Sequence, residues 1–346
     1  MAGSRATHSL KAQSRTAISA VLLAVALSIG AWYIVAHRAR FAVLLTVPLP
    51  GIAALATLTV AFRAGEAIVL RLAVRHLGVS LGIGESNLLA WATGYWNLLP
   101  AKPGTGALAL YLKHRHNVHY SGFAAYVIAV NLLRVAAGAL VGAVASFVFW
   151  TRGQLPPILP VVFGSMLACC ALVMVAPSRW HYEGRSRILR ALSNTGHAWH
   201  VMRARRGLLL RISWLRAVEC GLGASGTWLC FRLTGTPLSA GQALVLMPVS
   251  MLVHIVTLVP GQLGVREALA GAVAAAFGYT FADGTVASTL GRATGLPLVL
   301  LGGTLSSWWL HKRWTGSAQP QRGLPRQAPE AAPHGPGEGA EEGVET

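Results

Sequence analysis

Long apolar runs separated by short charged connections set the organisation of this chain. Runs with few charges or none occupy residues 17–36, 41–62, 121–150 and 159–176, and others follow at 208–231, 240–280 and 286–310. About 20 apolar helical residues cross the roughly 30 Å hydrocarbon core of a bilayer, so the pattern predicts membrane-crossing helices. The run at 41–62 is expected to kink at Pro48, Pro50 and Gly51. Arg63, Glu66, Arg71 and Arg75 then punctuate an amphipathic stretch to Leu81, read as lying at the membrane interface.

Two stretches break the pattern. LLPAKPGTGALA, residues 98–109, and LVPGQLGVREAL, residues 258–269, interrupt apolar sequence with proline and glycine. Shifting the chain by 160 residues lays Pro100 on Pro260 and Gly104 on Gly264. An arginine inside an apolar run follows each break, Arg134 in the first half and Arg292 in the second. The order is the same in both halves: run, apolar arm, break, second arm, run with a buried arginine. This predicts a repeat over about 41–150 and 208–310.

Charge placement selects the topology. If every run crosses once from an inside N-terminus, residues 179–206, with seven arginines and one glutamate, fall outside, against the positive-inside rule. If each break is instead a re-entrant hairpin, that connection, residues 102–115, and Lys312 with Arg313 all fall inside. The fold class expected is therefore an all-α polytopic membrane protein, with about six full transmembrane helices plus two re-entrant helical hairpins in an inverted repeat. A basic cytoplasmic N-terminus over 1–16, a transmembrane domain over 17–310 and a disordered cytoplasmic tail over 311–346 complete the expected layout.

Composition sharpens the class. Apolar residues make up 54% of the chain and charged residues 12%, about half the charged share of soluble domains. The net charge of +18 sits at the ends of apolar runs, which indicates anionic headgroups as partners rather than nucleic acid. Cys169, Cys170, Cys220 and Cys230 have no zinc or redox spacing and read as packing residues. The basic first residues precede a run too long for a signal-peptide core, so that run is read as a retained span. A multi-pass protein of the cell (plasma) membrane with both termini cytoplasmic is expected.

Ionisable groups within apolar runs are costly, by about 3 kcal/mol on insertion scales, and normally face a cavity or a partner. Arg134, Arg266, Glu267, Arg292 and Glu219 are the candidates. Arginine forks facing one cavity suit a phosphate, and the backbone amides freed at each break favour an anion. Arg216 and Glu219, at i and i+3, are expected to pair with each other. Arg266 and Glu267 are adjacent and cannot share a helix face, so at least one needs another partner. Asn97 and Asn131 are expected to bond freed backbone and, with Arg134, Arg266, Glu267 and Arg292, to line the substrate site. The breaks themselves rest on Pro100, Gly104, Pro260, Gly261 and Gly264. His114, His116 and His119 lie in a cation-rich loop read as solvated, and His254 is read as a packed core residue. No cofactor, metal site or catalytic constellation is expected; Asp283 is the sole aspartate.

NLLPAKPGTGALALYLK, residues 97–113, with Arg134 after it, resembles the first signature of the lysylphosphatidylglycerol synthase transmembrane (flippase-like) family. VPGQLGVREAL, residues 259–269, resembles its second, a Pro-x-x-x-Gly-x-x-Glu pattern. The resemblance spans about 38–310 and assigns importance to Pro100, Gly104, Arg134, Pro260, Gly264, Glu267 and Arg292. It implies movement of a polar or lipid-linked headgroup between leaflets. Thr105 and Leu133 stand where the family commonly has glutamate, which points to a different headgroup or lost coupling in the first half. The stretch after the last span reads as a disordered tail and not as the synthase's soluble catalytic domain, so aminoacyl-lipid synthase activity is not expected. The expected function is a membrane lipid flippase or transporter for an anionic or lipid-linked headgroup. A membrane-embedded transferase, or an accessory subunit of one, is the alternative, with Glu219 or Glu267 as its carboxylate. A non-transporting scaffold is a third reading.

Overall fold

The computed structural model describes residues 28, 32–99, 103–175, 206–252 and 264–316. Pro100, Pro260, Gly261, His254, most of the first expected span, the connection 179–205 and the tail beyond 316 lie outside the described residues. Every regular element among those described is helical. After a one-turn helix, Arg38–Phe41, the helices are α1 (Leu49–Arg75), α2 (Ile83–Trp96), α3 (Pro103–His116), α4 (Tyr120–Thr151), α5 (Ile158–Val175), α6 (Arg206–Leu233), α7 (Ala240–Leu252), α8 (Val265–Ala276) and α9 (Phe281–Gly316).

α1 corrects two expectations. Pro48 takes extended backbone as its N-cap and Pro50 sits in the first turn, where a missing N–H costs nothing. The prolines therefore start this helix instead of kinking it. Its last third packs into the bundle instead of lying on its surface: Val69, Leu70, Ala73 and Val74 are buried, and Arg71 donates from Nε to the Leu81 carbonyl at 3.0 Å. One 27-residue helix replaces the expected kinked span and surface stretch.

Two pairs of short helices fold back on themselves. At the mouth of the first, Tyr111 near the end of α3 donates to Glu85 at the start of α2, 2.7 Å away. At the mouth of the second, Tyr279 just past α8 donates to the Pro237 carbonyl at 3.0 Å and lies 3.1 Å from Gln242 Oε1 at the start of α7. Each arm has 12 to 14 residues, or about 18–21 Å at 1.5 Å per residue. That is about two-thirds of a bilayer core.

The core has two main apolar clusters, one at each end of the bundle. Leu81, Leu112, Val118, Leu208 and Leu310 join in the first, with Val74 of α1. Leu55, Leu155, Phe231, Leu238, Ala274 and Ala287 join in the second, flanked by Tyr279. The first end therefore collects the basic helix termini: Arg75, Lys113 to His116, Arg206, and Lys312 with Arg313. Because α9 runs from the second cluster to the first, the two folded-back pairs open at its opposite ends.

Among the described residues, α1 and α4 are long and apolar enough to cross a membrane, and 158–174 and 240–249 are apolar but shorter. α6 and α9 have the length, with 28 and 36 residues, but carry internal arginines. Large apolar side chains also point outward, among them Leu45, Leu172, Leu210, Trp214 and Leu305. Helices apolar on both faces fit a hydrocarbon surround.

Candidate functional site

At the first break, the helix start of α3 is held by the arm before it. Asn97 Oδ1 accepts from the Thr105 N–H at 3.3 Å, satisfying one of the orphan donors of a helix N-terminus. The close approach requires glycine: a Cβ on Gly104 would overlap the Thr93 carbonyl and stand 2.8 Å from Asn97 Oδ1. Asn97 thus bonds the freed backbone, as expected. Asn131 does not, because its side chain is exposed.

At the second break the helix is capped from within. Gly264 has φ +80°, a left-handed backbone that disfavours a Cβ. Its N–H donates to Glu267 Oε2 at 2.9 Å, the return half of a capping box. The other carboxylate oxygen, Oε1, lies 2.7 Å from Arg292 Nε. That Nε–H is not aimed along the short axis, since Oε1 makes no well-directed hydrogen bond; the contact is an ion pair. Arg266 lies within electrostatic reach of Arg292, and its buried Nε lacks a partner.

The larger ionic cluster centres on a residue the sequence reading left at the interface. Glu66 of α1 accepts from Arg63 at 2.6 Å and from Arg134 of α4 at 2.7 Å. Arg216 and Glu219 of α6 pair as expected and are the most deeply buried ion pair among the described residues, at 3% and 1% exposure. Gly65 brings α1 against Glu219: a Cβ there would stand 3.2 Å from its Oε1. Gly94 of α2 lets the Arg63 guanidinium pass, since a Cβ there would be 2.8 Å from Nη1. Three arginines and two carboxylates thus meet between α1, α2, α4 and α6. Leu133, next to Arg134, is buried in apolar packing, and the carboxylate that Arg134 meets comes from Glu66 of α1. The available signal was Arg63 with Glu66 at i, i+3 on one helix.

The expected single meeting point of Arg134, Arg266 and Arg292 is not what forms. Glu219 marks the first cluster on α6. Cys230 of the same helix marks the second: it feels the charge of Arg266, and a Cβ on Gly291 would stand 3.2 Å from its Sγ. Eleven helical residues separate Glu219 from Cys230, about 16 Å along the axis. Among the described residues the charges form two sites at different heights along α6, each with one more arginine than carboxylate.

The histidine loop also differs from expectation. His116 is not simply solvated; its Nε2 lies 3.1 Å from Glu85 Oε1, and Arg115 Nε is 3.8 Å from the same oxygen. Glu85 lies at the bundle's basic end, outside the spans. Burial pushes its carboxyl up, but hydrogen bonds from Tyr111 and His116, with the charges of His116 and Arg115, hold it below the usual 4.5. Asp283, the sole aspartate, caps α9 from the Thr280 N–H at 3.0 Å and pairs with Arg40 at 3.2 Å.

Helices throughout the described residues, with apolar outward faces and ion pairs sunk between them, have the build of a membrane-embedded protein. Residues 15–303 match the family described as lysylphosphatidylglycerol synthase TM region, and the chain belongs to that family. It is accordingly a membrane protein of lipid metabolism or transport. No curated protein matches the chain.

Proposed function

We propose that this protein moves an anionic or lipid-linked polar headgroup between the two leaflets, as a flippase or transporter rather than an enzyme. The observation that carries this reading is the surplus of arginine in both ionic clusters. Arg63, Arg134 and Arg216 face Glu66 and Glu219 in one; Arg266 and Arg292 face Glu267 in the other. A net positive charge kept among apolar helices is costly, and a transient anion offsets that cost. Guanidinium groups bind phosphate oxygens through paired donors.

The packing supports an inverted repeat crossing the plasma membrane. α2 packs on α1 and α9, whereas α7 packs on α6 and α4. Matching α1–α4 with α6–α9 converts each of these contacts into the other, as two halves related by a two-fold axis require. The breaks then fall near mid-depth, where transporter sites lie between discontinuous helices. Basic helix ends gathered at one end fit the cytoplasmic face and would concentrate anionic lipid there.

Reconstitution into liposomes with a fluorescent anionic phospholipid tests the proposal. Wild type is expected to accelerate exchange between leaflets. Arg134→Ala and Arg292→Ala each remove about 1.5–3 kcal/mol of charge-assisted contact, a roughly 10- to 100-fold slower rate. Neither should unfold the protein, because Glu66 keeps Arg63 and Glu267 keeps the Gly264 N–H. Wild-type protein that moves neither labelled phospholipid nor lipid-linked sugar would sink the proposal. If Glu219→Gln or Glu267→Gln abolished a chemical product instead of a transport rate, the transferase alternative would replace it.

A further inference from the structure

Away from both ionic clusters, a groove of about 810 Å³ runs between the start of α2 and the end of α9. Its lining includes Glu85, Asn87, Trp91, Trp308, Trp309 and Arg313. Trp308 is 57% exposed, and Arg313 lies over the Trp309 ring with 3.4 Å to its centroid. Indoles beside cationic side chains at a helix end are typical of the headgroup level of a membrane. A few hundred to a thousand cubic ångströms is the size of a small-molecule site.

The lining has a particular chemistry. Both hydrogen bonds to the Glu85 carboxylate end on Oε1, which leaves Oε2 as an acceptor. Asn87 uses Nδ2 on the Ile83 carbonyl at 3.1 Å, which leaves its Oδ1 as an acceptor. Indole faces next to side-chain acceptors suit the C–H faces and hydroxyls of a polyol ring. Arg313 at the same groove suits a phosphate. An ammonium headgroup fits less well, because His116 and Arg115 already lie 3.1 and 3.8 Å from the lining's single carboxylate and Arg313 lines the same groove.

We infer that this groove docks a phospholipid whose phosphate carries a sugar or other polyol headgroup, taken from the leaflet at the basic end of the bundle. The phosphate sits at Arg313, the polyol ring lies against Trp91 and Trp308 with its hydroxyls on Glu85 and Asn87, and the acyl chains leave along Leu88 and Leu305. This rests on the lipid-transport reading and names its substrate class at the point of entry.

Native mass spectrometry of the full chain in detergent, offered phosphatidylinositol, phosphatidic acid and phosphatidylethanolamine with identical acyl chains, tests the groove without requiring transport. Phosphatidylinositol should be retained on the order of fivefold over either competitor, a preference of about 1 kcal/mol. Trp308→Ala and Glu85→Gln should erase that preference while phosphatidic acid binding persists; Arg313→Ala should weaken both lipids. Trp308 is exposed, so its loss leaves the core intact, and a cooperative melting transition in each variant confirms folding. Equal retention of the three lipids, or a preference that survives both Trp308→Ala and Glu85→Gln, overturns the inference. Free inositol phosphate binding as tightly as the lipid also overturns it, because the groove would then read a soluble ligand. A transport failure with this binding preference intact would instead count against the ionic clusters alone.

Discussion

At the scale of single residues, the buried charges have unequal duties. Arg216 and Glu219 are almost wholly enclosed, and removing one partner of such a pair strands the other at a cost of about 3–5 kcal/mol. Glu219→Ala should therefore lower the melting temperature sharply, and the double substitution Arg216→Met with Glu219→Leu should recover most of the loss. A melt in which Glu219→Ala is neutral would mean that water already reaches this pair. Gly104 carries a different load. Gly104→Ala drives a Cβ into the Thr93 carbonyl and the Asn97 amide, so it should destabilise by about 1–3 kcal/mol. Asn97→Ala loses only the cap on Thr105, about 1 kcal/mol. Melting curves of the two variants should rank them in that order.

At the scale of helices, the sequence showed the arms and breaks because proline, glycine and charge stand out against apolar runs. Arg134, Glu267, Arg292 and Asn97 were legible for that reason. Glu66 was not. Its neighbours Arg63, Arg71 and Arg75 make the stretch look like a wet surface, and only packing among α1, α4 and α6 shows it to be a bridge. Asn131 failed in the opposite sense: three residues before Arg134 leaves it about 60° around the helix, enough to leave the buried stripe. Relative depth was also hidden, since no local pattern says how far apart two charges on different helices will sit. The mouth of the first pair gives a test at this scale. Glu85 is held below 4.5 in the folded protein, so its carboxylate contributes stability that is fully present above that pH. The contribution is lost as pH falls through the lowered folded value. Acid melts of wild type should therefore decline below 4.5 more steeply than those of Glu85→Gln, in which nothing titrates. Parallel curves would place the acid sensitivity elsewhere.

For the whole molecule, the decisive relation is between charge and direction. The structure gathers Arg75, Lys113, Arg206 and Arg313 at one end of the bundle, and the second folded-back pair opens at the other. Placing the basic end in the cytoplasm puts the densest cationic helix ends inside, as the positive-inside rule favours, and leaves Arg40, Arg152 and Arg232 at the opposite end. The same choice opens α2 with α3 inward and α7 with α8 outward. Lys113 and Ala240 are exposed at the two mouths, which makes them suitable reporters. With the four native cysteines replaced by serine, Ala240→Cys should react with a membrane-impermeant maleimide on intact cells, and Lys113→Cys only after permeabilisation. Labelling of both from one face would rule out oppositely directed pairs, and the inverted repeat with them. Opposite labelling with the faces exchanged would keep the repeat but reverse the orientation. The arginine surplus would then meet lipid arriving from the outer leaflet, and the polyol groove between α2 and α9 would lie on the exterior side.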